Sequence, residues 1–197
     1  WNNIKVYVQQ YCALGRQYLL IKSIYMMAEN AAHNRRSIDE KQTTGGARMI
    51  AIIDYDAGNI ISVEKALHYL GEETTVTRDP QTLLNADKVI LPGVGSFGRA
   101  MENLHTYGLV PVIHEIVEKK TPFLGICLGL QLLFESSEET PGVEGLGILK
   151  GKIVKIPPAP GLKIPHMGWN SLHFQNNGRL FQGIPEQTYV YFVHSYY

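Results

Sequence analysis

Cysteine is scarce in this chain: Cys12 and Cys127 are the only two in 197 residues. Two thiols so far apart build no disulfide framework, and they suit a reducing cytoplasm, where a thiolate nucleophile survives. Excess charge is lacking too. Lysine plus arginine equals aspartate plus glutamate, 18 each, so no global field points to nucleic acid or an anionic membrane surface. No apolar run approaches the length of a membrane span. The seven histidines lack the local spacing of a zinc site, so neither a metal nor another cofactor is expected. What is present is enough apolar residue, 45%, to bury one sizeable core.

Residues 1–48 differ from the rest of the chain. Apolar positions there keep no sustained period, apart from a weakly helical Tyr18–Met27, and Glu29–Gly46 is polar enough for loop or disorder. The basic region, apolar core and cleavage site of a signal peptide are missing. Met49 then opens an apolar strand. It is taken as the natural start, with 1–48 as upstream sequence read in frame or as disordered extension; a partner-binding extension is the alternative.

From Met49 strands and helices alternate. Met49–Asp54 is a nearly continuous apolar run, as in a parallel strand covered on both faces. A helix follows with Ile60, Val63, Ala66, Leu67 and Leu70 on one side and Gly71 as its stop. Thr74–Arg78 and Lys88–Leu91 are the next strands, with a short helix around Gln81–Asn85 between them. Two helices, Arg99–Thr106 and Val110–Lys120, lead to an apolar strand from Phe123, because Pro111 fits a first helical turn and not an interior. This order predicts an α/β protein with a doubly wound, mostly parallel sheet and its site beyond the carboxyl ends of the strands. Beyond Gly142, Gly147–Ile156 and Gly168–Phe174 suggest an antiparallel excursion, Phe181–Pro185 a turn and Thr188–Val193 a last strand.

Two stretches carry chemistry. Gly125-Ile126-Cys127-Leu128-Gly129 has the strand–turn–helix spacing of a nucleophile elbow, with sulfur as the nucleophile. Glycine stands where strand and helix nearly touch, and the dipole of the helix, expected to run from Leu128 to Phe134, favours thiolate. A buried structural cysteine is the bland alternative. Pro92-Gly-Val-Gly-Ser-Phe-Gly98 follows a strand and can turn backbone N–H groups inward as an oxyanion hole. Phosphate binding is the runner-up, although neither a Walker pattern nor G-x-G-x-x-G is present.

Together these stretches resemble the class I, triad-type glutamine amidotransferases, and more narrowly the glutaminase subunits of imidazole glycerol phosphate synthases. The resemblance spans Met49 to Tyr197. It rests on Ile53-Asp-Tyr-Asp-Ala-Gly-Asn59, Leu91-Pro-Gly-Val-Gly-Ser-Phe97, Gly125–Glu135, Ile164-Pro-His-Met-Gly-Trp-Asn170 and Tyr191-Phe-Val-His-Ser-Tyr196. It implies a flavodoxin-like amidotransferase fold over 49–197 in which Cys127 attacks the side-chain amide of glutamine. Ammonia leaves, and a glutamyl thioester is hydrolysed to glutamate. Gly93, Val94, Gly95 and Leu128 would hold the oxyanion. Gln131, Glu139 and the segment His194, Ser195 and Tyr196 would contact glutamine, though a solvated Glu138-Glu139 pair is also open. Pro165, His166, Met167, Gly168, Trp169 and Asn170 would face a (β/α)8-barrel cyclase that receives the ammonia in histidine biosynthesis; Trp169 as core filler is the plain alternative.

The family's catalytic histidine and glutamate belong to an F-H-P-E-type stretch that does not occur before Tyr197. None of His68, His105, His114, His166, His173 and His194 has the setting of the base. The expectation is therefore a C-terminally truncated domain, inactive as it stands. A cyclase-binding subunit without turnover, or another cysteine hydrolase of related fold, are the alternatives.

Overall fold

The computed structural model describes residues 6–9, 49–174 and 183–197. Its centre is a parallel sheet. The strands are β1 (Val6–Gln9), β2 (Met49–Ile53), β3 (Glu73–Thr77), β4 (Lys88–Leu91) and β5 (Phe123–Ile126), in the spatial order β1-β5-β4-β2-β3. Every neighbouring pair in it is parallel. Helices α1 (Ile60–Tyr69), α2 (Pro80–Leu84), α3 (Phe97–Thr106) and α4 (Leu109–Glu118) connect the strands, and α5 (Leu128–Gln131) follows β5.

The double winding follows from the period-two geometry of β2. Ile50 and Ile52 face one side, where they meet Val63, Ala66 and Leu67 of α1. Ala51 and Ile53 face the other, against residues of α2, α3, α4 and α5 such as Leu83, Met101, Ile113 and Leu130. A strand apolar at every position is what two covered faces require. The chain goes from β2 outward to β3, then crosses back to β4 and β5. The order therefore reverses between β2 and β4, and a crevice opens there at the carboxyl ends.

Local signals explain the helix ends. The Asp79 side chain accepts from Thr82 N–H at 2.8 Å, and Pro80 occupies the first turn of α2, the position where a missing N–H costs nothing. Gly71 and Gly108 take positive φ, 74° and 65°, at the stop of α1 and the start of α4.

Three expectations are corrected. Residues 1–48 do contain a strand, since Val6–Gln9 pairs along β5; its Val-Tyr-Val run has strand propensity, and an unpaired strand edge is a template for it. The remainder of 1–48, including 18–27, lies outside the described residues, as do 181 and 182 of the expected turn. The helix after Cys127 ends at Gln131 instead of Phe134. The carbonyls of Leu132, Leu133, Phe134 and Glu135 accept from Leu146, Leu149, Gly147 and Gly145 N–H across the fold, so they are not spent on a further helical turn. Finally, Gly147–Ile156 is not one strand. Only β7 (Lys152–Ile153) is regular, and it pairs in parallel with β6 (Ser136–Ser137). The antiparallel component is β8 (His166–Ser171) against β9 (Tyr189–His194), with Val154 and Ile156 exchanging backbone bonds with Ser195 and Tyr197 beside it.

Candidate active site

The site grows from the end of β5. Phe123 to Ile126 are buried throughout, and the chain then turns at Cys127 with φ 53° and ψ −114°. Only three other described residues besides glycine have positive φ: Asp56, Lys120 and Gln187. Such a conformation costs about 1–3 kcal/mol and persists only where the surroundings over-determine it. They do so here. A Cβ on Gly125 would lie 2.6 Å from Leu130 Cα, and one on Gly129 would lie 2.0 Å from Leu91 O. Strand and helix therefore touch on both sides of the half-buried thiol, and the two elbow glycines are obligatory. Leu130 and Gln131 N–H both bond Cys127 O, at 3.0 and 3.3 Å, which fixes the first turn of α5 beneath the sulfur.

The glycine-rich loop 92–97 leaves β4 directly beside this elbow. A Cβ on Gly93 would stand 2.5 Å from Gly129 N and 2.9 Å from Leu128 Cβ. Gly93 is buried, while Val94 and Gly95 are exposed, and Gly95 turns at φ 108°. At the far end of the loop Phe97 N–H donates to Glu139 Oε2 at 2.7 Å, and Gly98 N–H donates to Thr140 Oγ1 at 3.2 Å. Glu139 thus caps the helix that follows the loop, a role that no local pattern around it announces.

Gln131 is buried on α5 and donates through Nε2 to Tyr196 O at 3.3 Å. This bond brings the segment 194–196 to the elbow. His194 Nδ1–H donates to the same carbonyl at 3.0 Å, and His194 Nε2 lies 3.2 Å from His166 Nδ1. Asn170 Nδ2 reaches His166 Nε2 at 3.4 Å. With Asn170 donating to His166, His166 to His194, and His194 to the Tyr196 carbonyl, each imidazole gives one hydrogen bond and accepts one, and all three contacts are satisfied. Burial, and then His194 beside it, lower the pKa of His166.

The remaining expected positions lie along β8. Met167 and Trp169 project from one face, 60% and 51% exposed, and Trp169 meets Tyr191 edge-on at 5.6 Å between centroids. The structure thereby separates two groups. Cys127, Leu128, Gly93, Gln131 and Tyr196 surround the elbow; Met167 and Trp169 form an apolar surface on the β8–β9 hairpin, joined to the first group through the histidine pair.

Sequence reasoning alone assigns no role to Tyr55. It is fully buried, its OH donates to Pro92 O at 2.6 Å, and its own carbonyl accepts from Asn103 Nδ2 at 2.9 Å. Burial, and then the charge of Cys127, push its phenol above the ordinary range. The signal available was an aromatic between two aspartates just past a buried strand. Those aspartates serve elsewhere: Arg78 donates to Asp54 and Asp56 at 2.7 Å each and lies 4.1 Å over the Tyr107 ring. Tyr107 OH in turn donates to Asp56.

Known proteins resemble this chain in sequence and in fold. The family model described as glutamine amidotransferase class-I matches residues 51–197. The imidazole glycerol phosphate synthase subunit HisH of Moorella thermoacetica is 55% identical over 150 residues, covering 76% of this chain and 70% of that protein. The subunit of the same name from Methanocaldococcus jannaschii is 52% identical over 149 residues, covering 76% and 74%. A crystal structure of a glutamine amidotransferase superposes with a TM-score of 0.56 at 19% identity, over 77% of this chain and 72% of that one, which speaks for the fold.

Proposed function

The chain belongs to the class-I glutamine amidotransferases, among the HisH subunits of imidazole glycerol phosphate synthase, and from that membership we propose how its residues work as the glutaminase of histidine biosynthesis. The carrying observation is Cys127 in its strained turn, with the Gly93–Gly95 loop packed one glycine away from Leu128 and Gly129.

In this reading the Cys127 thiolate adds to the side-chain amide carbon of glutamine. The carbonyl electrons move onto oxygen, which accepts hydrogen bonds from Leu128 N–H and from the Gly93-Val94-Gly95 backbone. The oxyanion then re-forms the carbonyl as the carbon–nitrogen bond breaks, the nitrogen takes a proton from water and leaves as ammonia, and the hydroxide so formed hydrolyses the glutamyl thioester to glutamate and thiolate. Each oxyanion donor contributes on the order of 3 kcal/mol to such a step. Gln131, Glu139 and the backbone of 194–196 would line the glutamine pocket. His194 has both ring nitrogens engaged, with His166 and Tyr196 O, so its part is to hold the 194–196 segment.

The Met167 and Trp169 face is the surface proposed for the cyclase partner, since an exposed tryptophan backed by a second aromatic suits an interface hot spot. No helix among the described residues is long and apolar enough to cross a membrane.

The test is labelling of Cys127 by a glutamine analogue whose amide is replaced by a chloromethyl ketone, read by mass spectrometry. The rate should saturate with the analogue, free glutamine should protect, and Cys127→Ala should abolish labelling. Labelling that glutamine leaves untouched refutes the reading.

A further inference from the structure

We propose that Tyr55 is a positioning residue for the oxyanion loop, holding its first peptide against the nucleophile elbow through the hydrogen bond to the Pro92 carbonyl. This rests on the glutaminase reading and names a residue that reading does not use. An oxyanion donor works only if it is held where the negative charge will develop. The middle of this loop holds itself poorly: Val94, Gly95 and Ser96 are exposed, and nothing lies within 4 Å of the Cβ position of Gly95. Its direction must therefore be set at its ends.

At the far end Glu139 and Thr140 take the N–H groups of Phe97 and Gly98. At the near end proline has no N–H to offer, so the carbonyl of Pro92 is the available backbone handle, and Tyr55 OH holds it at 2.6 Å. The peptide that follows is planar, so fixing this oxygen fixes the opposed Gly93 N–H. Gly93 sits between the two walls: its Cβ position is 2.8 Å from Tyr55 OH on one side and 2.5 Å from Gly129 N on the other. Tyr55 itself is tethered by Asn103 of α3, the helix into which the loop runs. Tyr55 thus connects the start of the loop, through its hydroxyl, with the helix after it, through its own carbonyl.

A core-filling role alone predicts that deleting the hydroxyl changes stability and nothing else. The experiment compares Tyr55→Phe with wild type in the full chain, using two alkylating probes on Cys127. The thiolate first adds to the chloroketone's carbonyl carbon, which puts the charge on oxygen; sulfur then passes to the methylene carbon as chloride leaves and the carbonyl re-forms. Iodoacetamide reacts by direct displacement of iodide and forms no oxyanion. The expected result is a chloroketone rate at saturation lowered about tenfold or more, with half-saturation unchanged, while the iodoacetamide rate stays within about twofold. Equal rates in both proteins, or a parallel fall with both probes, overturns the proposal. If wild type itself shows neither saturation nor protection by glutamine, the glutaminase reading fails and takes the proposal with it, an outcome recognisable without the variant. Should Tyr55→Phe not fold, Asn103→Ala decides: it releases the tether from the surface side, and a few-fold loss confined to the chloroketone is expected. No loss there refutes the assignment.

Discussion

Gly129→Ala is the sharpest test of the elbow, because two ordinary expectations pull in opposite directions. Gly129 lies within α5 and is absent from the positive-φ glycines. By helix propensity alone, alanine there should stabilise by about 1 kcal/mol. The geometry says otherwise. The new Cβ would sit 2.0 Å from Leu91 O and 2.8 Å from Leu91 C. Both are backbone atoms of a central strand, paired on one side with β2 and on the other with β5, so no flexible side-chain end can give way. Either β4 or α5 must move by about 1 Å, and overpacking of this kind typically costs about 1–3 kcal/mol and sometimes more. A 2.0 Å approach to backbone puts the cost at the upper end, about 3 kcal/mol; less the propensity gain of about 1 kcal/mol, the net expectation is a loss of about 2 kcal/mol, or about 4–8 °C in melting temperature for a chain of this size. The functional loss should be larger than the stability loss, since a displacement of about 1 Å at a reacting group can cost about 100-fold in rate. The assay is a thermal melt alongside chloroketone labelling of Cys127. An alanine variant that melts at or above wild type and labels at the wild-type rate would refute the contact argument, and with it the claim that α5 is pressed onto the loop.

The same geometry sets four further outcomes. Gly95→Ala meets no atom within 4 Å but must keep φ near 108°, so it should destabilise by about 1–2 kcal/mol through backbone strain alone, a smaller melting shift than Gly129→Ala. Trp169→Ala should weaken binding of a cyclase subunit by about 30-fold in titration calorimetry, the scale of a hot-spot truncation, while leaving chloroketone labelling of Cys127 intact. His166 has a folded pKa below that of the unfolded chain, near 6.5, so its contribution is fully present above about pH 6.5 and is lost as pH falls through the lower folded value. Amide exchange in β8 and β9 should accelerate on acidification, and His166→Asn should flatten that response. Asp56 is held below the usual carboxylate range by Tyr107 and then Arg78; its contribution stands above about pH 4 and disappears as pH falls through the folded value, so the melting difference between wild type and Asp56→Asn should vanish in acid.

The inner strands β2, β4 and β5 were legible because they are apolar at nearly every position, and such runs bounded by turn residues have few other uses. The elbow was legible because glycine spacing around Cys127 reports a distance between backbones, not merely a composition. The extent of α5 was not. Local sequence continues as leucine after Gln131, and what ends the helix is the backbone of residues 145–149, far along the chain. Glu139 shows the same limit. A carboxylate beside another carboxylate suggests solvent or a ligand, and the partner it has, Phe97 N–H, is 42 residues away. Tyr55 was missed because a tyrosine among turn residues gives no local sign that its hydroxyl will reach the end of a neighbouring strand.

The strain at Cys127 and the leucines after it belong to one arrangement. A side chain at φ 53°, ψ −114° relaxes unless its neighbours forbid it, and a cost of about 1–3 kcal/mol must be offset by contacts that relaxation would break. Leu128, Leu130, Leu132 and Leu133 are each 5% exposed or less, and full burial of one such side chain is worth about 1.5–3 kcal/mol. The unfolded chain already hides part of the same surface, which lowers the gain. Even halved, four leucines exceed the strain. Turning Cys127 back to ordinary φ would swing α5 away from Gly93 and Leu91 and expose those leucines together. The thiol is therefore held out at the carboxyl end of β5 by the buried leucines of the segment it begins, Leu128 to Leu133.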